Sequence, residues 1–248
     1  LRRAGRNIAE VKAQKDAQTG VYYRLMVGYV KRVLADIGRI VPDYDPRAGY
    51  EIAGFVWFQG WNDMVDSGTY PNRGKAGGYD LYTRLLCDLI RDVRRDLGVP
   101  DLPFVIGVMG VGGPLDLSRP DRYTPIHHSF RQAMAAPAEM PEFRGTVAAV
   151  WTERYWDTEL HELLKRKDQL KAKAAELEKD SSLTKDQRKE MLKKFEDELY
   201  TPRERELLTG ASNAEFHYMG SGKVMAQIGK AFAEAMMELM QKRKELAQ

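Results

Sequence analysis

One cysteine, Cys87, is the only thiol in the chain, so no intrachain disulfide can form. It falls in a helical pattern and reads as a small buried hydrophobe rather than a nucleophile. No apolar run approaches the ~20 residues that a membrane-spanning helix needs. Excess charge of one sign is also missing. The 39 Lys and Arg nearly balance the 36 Asp and Glu, and a net charge of +3 is too small to argue for an anionic membrane or nucleic acid. No basic stripe interleaves with aromatics, so no nucleic-acid partner is expected. No Cys or His pair has zinc-ligand spacing, and neither metal nor cofactor is expected. Gly220-Ser221-Gly222-Lys223 lacks the upstream glycine and preceding strand of a phosphate-binding loop, and reads as a helix N-terminus. No secretory leader is visible. The chain opens at Leu1 on a polar segment, which we read as lacking an authentic N-terminus.

The 248 residues are 43% apolar, enough to form a sizeable core. Residues 1–17 are polar and basic, with no clear period. Tyr22, Leu25, Met26, Tyr29, Val33, Leu34 and Ile37 recur at helical spacing and predict a helix over 19–37. Three short apolar, β-favouring runs at 52–58, 103–109 and 145–150 read as buried strands. Helices are predicted between them at 79–97 and 125–136, with a glycine-rich loop at 66–78. This alternation implies an α/β fold with a parallel sheet. In such sheets the site lies beyond the carboxyl ends of the strands. That places 59–63, 109–114 and 151–154 on one rim.

Residues 157–200 break the pattern. They are dense in Lys and Glu, with leucines at helical spacing, an interruption at 180–182, and a capping signature of Thr184 with Gln187. We read an inserted, charged helical hairpin. Its charges form a solvated face, and its narrow apolar stripe points to packing on the body or on a second copy of the chain in a homo-oligomer. A last helix is predicted over 220–244.

Two segments could carry chemistry. Gly60-Trp61-Asn62-Asp63 follows a buried strand. An Asn there can aim its amide N–H at a developing oxyanion, although the same residues also make ordinary turns. Asn213-Ala214-Glu215-Phe216-His217-Tyr218 places His217 just before the final helix, where a general base would stand. His127 and His128 read as surface residues near a helix start, and His161 lies in the charged hairpin. Convergence of Asp63, Asp66 and His217 on a metal is a weaker alternative.

Phe55-Val56-Trp57-Phe58-Gln59-Gly60-Trp61-Asn62-Asp63 resembles the third sequence block of the SGNH hydrolases. Its Trp-Phe-Gln-Gly context is similar to the sialate O-acetylesterase and acetylxylan esterase branch, carbohydrate esterase family six. The segment around His217 resembles the block that supplies the catalytic histidine. The resemblance covers most of 20–155 and 207–240, and the hairpin lies outside it. It implies one α/β domain over 1–248, with a three-layer, flavodoxin-like parallel sheet of the SGNH type that is only partial here. It also implies an acetylated carbohydrate substrate and acyl transfer through a serine. His217 would be the base, with Asn62 and Gly60 at the oxyanion hole and Gln59, Trp61 and Asp63 beside the substrate. A secreted or periplasmic location is implied by the resemblance alone.

Three departures stand against the pattern. No Gly-x-Ser follows a strand, the glycine block of the second strand is missing, and Ala214 occupies the usual place of the triad Asp. We therefore expect the nucleophile and two strands upstream of Leu1, and Glu215 or Asn213 to orient His217. A non-catalytic carbohydrate-binding or scaffold protein on the same sheet is the alternative.

Overall fold

The computed structural model describes residues 7–246. The polar segment 1–17 is thus described only from Asn7 onward. The chain forms two compact units. The smaller comprises residues up to Ala53 and Asp88–Leu102, and the larger Gly54–Cys87 with Pro103 onward.

The larger unit is α/β. Its sheet has strands β1 (Phe55–Trp57), β2 (Phe104–Val108) and β3 (Val147–Trp151), in that order and all parallel. The central strand β2 is buried at every position, as expected when both faces and both edges are covered. β1 is shorter than the 52–58 run predicts. Its ladder begins with Phe55 N–H donating to the carbonyl of Pro103, and Pro103 has no N–H with which to carry pairing further back. On this edge strand Val56 stays 45% exposed.

Helix α3 (Trp61–Val65) follows β1, α4 (Asp80–Leu97) precedes β2, and α5 (Thr124–Glu139) precedes β3. The helix predicted to stop at 136 runs on through Pro137. Proline leaves the carbonyl four residues back without its helical donor, but here the Thr83 hydroxyl donates to Ala133 O at 2.9 Å and removes that cost. Helices α5 and α9 (Gly222–Leu246) pack on β2 and β3.

Between β3 and α9 lie α6 (Thr158–Lys179), α7 (Lys185–Leu199) and α8 (Pro202–Leu208). Asp157 caps α6, and the Thr184–Gln187 capping box starts α7 as its signature predicts. α6 packs against both α7 and α8, and Leu160, Leu163 and Leu177 of α6 are buried, as is Tyr200 between α7 and α8. α8 lies past the predicted end of this region. It has its own capping box, Thr201 with Glu204, and Pro202 in its first turn.

In the smaller unit, α1 (Ile8–Gln18) forms where no apolar period is present. Its residues are strong helix formers, and Asn7 caps it by accepting from Ala9 N–H. Gly20, with φ of 70°, separates it from α2 (Val21–Ala35). Tyr23 on α2 donates to Asp96 at 2.7 Å. Burial, then Asp96, raises the Tyr23 phenol above its ordinary pKa.

Candidate active site

The parallel strands bring the segments 58–64, 109–114 and 152–156 to one rim of the larger unit. The stretch 59–63 turns helical from Trp61: Gly60 caps α3, and Met64 N–H donates to Gly60 O at 2.9 Å. Gly60 is buried, and a Cβ there would lie 2.8 Å from the Phe130 ring, so only glycine lets α3 start against α5. Met64 is buried, and its carbonyl accepts from the Tyr79 hydroxyl at 2.7 Å. With the base of the turn pinned, its polar side chains stay outside. Gln59 Nε2 donates to Asp63 Oδ2 at 2.8 Å, so these two hold one another. Asn62 is exposed, and its side chain has no hydrogen-bond partner among the described residues.

The His217 segment, Glu215–Gly220, is a tight turn that leaves helical geometry at His217, Tyr218 and Met219. Ser212 N–H and Asn213 N–H both donate to Met219 O, and His217 N–H donates to Ala214 O. Asn213 Oδ1 accepts from Ala214 N–H at 2.7 Å and lies 3.1 Å from His217 Nδ1. That oxygen is an acceptor, so the facing Nδ1 carries the imidazole proton. Nε2 then keeps its lone pair, and it has no partner among the described residues. Glu215, the other residue expected to orient the imidazole, turns instead to His161 Nε2 at 2.8 Å.

The two segments meet through aromatic rings. Trp61 stacks on Phe216 with centroids 5.8 Å apart, and Phe216 stands edge-on to His217 at 4.5 Å. Phe58 belongs to the core, packed on Tyr218 and Phe232.

Beneath the rim, the buried Arg131 donates to Gly113 O at 3.0 Å and Val111 O at 2.9 Å, and pairs with Glu153. Burial pulls its pKa down, and Glu153 opposes that shift. A guanidinium remains charged regardless, so it fixes the 111–113 loop to the end of β3. His127 is not the surface residue that its position predicts. It sits edge-on to Trp61 at 6.5 Å, and burial followed by repulsion from Arg131 pulls its pKa down to about 4, so it is neutral at pH 7. Phe216, His127 and Arg131 carry no motif; proximity to Gly60 or His217 in the fold is the only signal that marks them.

Asp63, Asp66 and His217 do not assemble as ligands. Among the described residues, no group of three or more His, Cys, Asp or Glu side chains is placed to hold a metal. Asp66 is taken up by Gly68 and Thr69 in its own turn. Five of the seven serines are engaged elsewhere: Ser118 with Asp116, Ser129 with Lys75 O, Ser182 with Asp180, Ser212 with Gly220 O and Ser221 at the start of α9. No helix among the described residues is long and apolar enough to cross a membrane.

Residues 4–177 match the model of a family described as carbohydrate esterase, sialic acid-specific acetylesterase. Comparisons with curated proteins and with solved structures gave no match.

Proposed function

The chain belongs to the sialic acid-specific acetylesterase family of carbohydrate esterases, and from that premise we propose that it hydrolyses acetyl esters on a sugar by a serine acyl-enzyme mechanism. We further propose an SGNH-type arrangement with 157–200 as an inserted hairpin, and a nucleophilic serine contributed by a segment outside residues 7–246. The observation that carries this reading is the Trp61–Phe216 stack, which draws the turn bearing Asn62 and the turn bearing His217 to the same rim.

In this mechanism His217 Nε2 takes the serine proton as the hydroxyl adds to the ester carbonyl. Asn62, whose amide has no partner among the described residues, donates to the oxyanion beside the Gly60 turn. The imidazolium returns its proton to the departing sugar oxygen, leaving an acetyl-serine. Water, deprotonated by the same imidazole, adds to that acyl group, and acetate leaves as serine recovers its proton. Asn213 holds His217 in the tautomer that leaves Nε2 basic, but it cannot neutralise the imidazolium as a carboxylate would. Trp61 and Phe216 offer flat apolar faces for a sugar ring, and Gln59 and Asp63 offer polar groups beside them.

A non-catalytic sugar-binding protein is the second reading. It is favoured by Asn213, where a triad would have a carboxylate, at His217 Nδ1. Fluorophosphonate labelling of the full-length gene product, read by intact mass, separates the two. The expected result is a stoichiometric serine adduct that His217→Ala slows by about 10³-fold or more. No adduct in the wild-type protein would sink the esterase reading and leave the sugar-binding one.

A further inference from the structure

Backbone strain and buried hydrogen bonds coincide at the residue after His217. Tyr218 and Met219 hold φ of 52° and 60°, left-handed values that non-glycine residues keep only when their surroundings impose them. Both are buried. The Tyr218 hydroxyl lies 2.8 Å from Gly110 N and 2.9 Å from Thr152 Oγ1, and Thr152 Oγ1 lies 2.7 Å from Val108 O. Proton counting sets the direction of this chain. Thr152 has one hydroxyl proton, and the Val108 carbonyl can only accept it. Tyr218 must therefore donate to Thr152 Oγ1, and its own oxygen accepts from Gly110 N–H.

Every group is satisfied, and the chain ties the His217 turn to the carboxyl ends of both β2 and β3. Gly110 is part of the fit, since a Cβ there would fall 2.0 Å from Glu153 N. Its N–H is also committed to Tyr218 and is not free for an oxyanion. Burial raises the Tyr218 pKa, which keeps the phenol protonated, the form this chain requires.

We propose that Tyr218 is a positioning residue whose hydroxyl clamps the strained turn and so fixes where His217 presents Nε2 on the rim. The proposal rests on the reading of His217 as the base. Removing the hydroxyl in Tyr218→Phe leaves Gly110 N–H unpaired and frees the turn to relax, with no change in ring volume.

The test uses the full-length gene product. In Tyr218→Phe, kcat on an acetylated sugar is expected to fall about 10–100-fold with KM within about twofold, the signature of a misplaced group rather than lost binding. Thr152→Val should do the same, and the double variant should be no worse than the worse single, because the hydroxyls act as one unit. Selective ¹⁵N-histidine NMR, recorded without substrate, should show the His217 ring signals shifted or doubled in Tyr218→Phe. A lower Tm with unchanged kcat and unchanged His217 signals would make Tyr218 merely structural and overturn the proposal. If the wild-type protein cleaves no acetyl ester, the esterase reading fails, and the His217 signals alone decide the clamp.

Discussion

At Gly60 the chain is held mainly by contact, helped by the Tyr79 hydroxyl on Met64 O. The glycine lies against Phe130, Met64 is buried, Trp61 meets His127, and the polar side chains of the turn remain outside. At His217 it is held by hydrogen bonds. Two amides converge on Met219 O, Asn213 sits on the imidazole, and Tyr218 reaches Gly110 and Thr152 while its backbone stays left-handed. A turn held from below by packing can leave a polar side chain such as Asn62 unencumbered. One held by its own polar groups has few to spare, and here the His217 Nε2 is what remains. Support and function are therefore separable in the first turn and entangled in the second.

Asn62→Ala should expose this separation most strongly. Removing one oxyanion donor typically costs ~2.7–4 kcal/mol of transition-state stabilisation, a 10²–10³-fold loss of kcat. Because Asn62 has no partner among the described residues, the urea midpoint should not move. A shifted midpoint with kcat retained would mean that Asn62 supports the fold instead. Gly60→Ala reverses the signature. The new Cβ would meet the Phe130 ring at 2.8 Å, and overpacking of this kind costs ~1–3 kcal/mol. Urea denaturation should show that loss, and Phe130→Leu in the same chain should recover part of it. An unshifted midpoint for Gly60→Ala would show that contact with Phe130 does not hold the turn.

Local patterns in the sequence made much of this architecture legible. Apolar runs mark all three strands, and Thr184 with Gln187 marks a helix start that the structure bears out. The same signature at Thr201 and Glu204 starts α8, just past the 157–200 hairpin that the leucine spacing predicts. The shortening of β1 depends on Pro103, the residue just before the strand it pairs with, so inspection of 52–58 alone does not reveal it. The site follows the same division. His217 and Asn62 stand out by residue type and position, whereas the partners that place them come from far along the chain. Glu215 is drawn 54 residues away to His161, and Tyr218 reaches 108 residues back to Gly110. Inside so irregular a turn no periodicity tells which of Glu215, Phe216 and Tyr218 points inward, and the sequence alone leaves their roles open.

Acid should separate the two turns by a smaller margin. His127, packed on Trp61 between Asp121 and Arg131, has its pKa pulled from 6.5 to about 4, chiefly by burial. The unfolded chain takes up this proton below pH ~6.5, and the folded chain only near pH 4. The stability linked to a neutral His127 is thus complete above pH ~6.5 and drains away as pH falls toward 4. Because the ring is partly exposed, the loss between pH 7 and pH 5 should be about 1–2 kcal/mol. Urea midpoints across that range should show this slope in the wild type and a flatter one in His127→Gln. Tryptophan fluorescence should report loosening at Trp61. The ties of the Tyr218 turn to Gly110 and Thr152 run through hydroxyls and amides that do not titrate there, so those ties should persist. Equal slopes in the two proteins would remove His127 from the support of the Gly60 turn and leave Phe130 and Met64 to hold it.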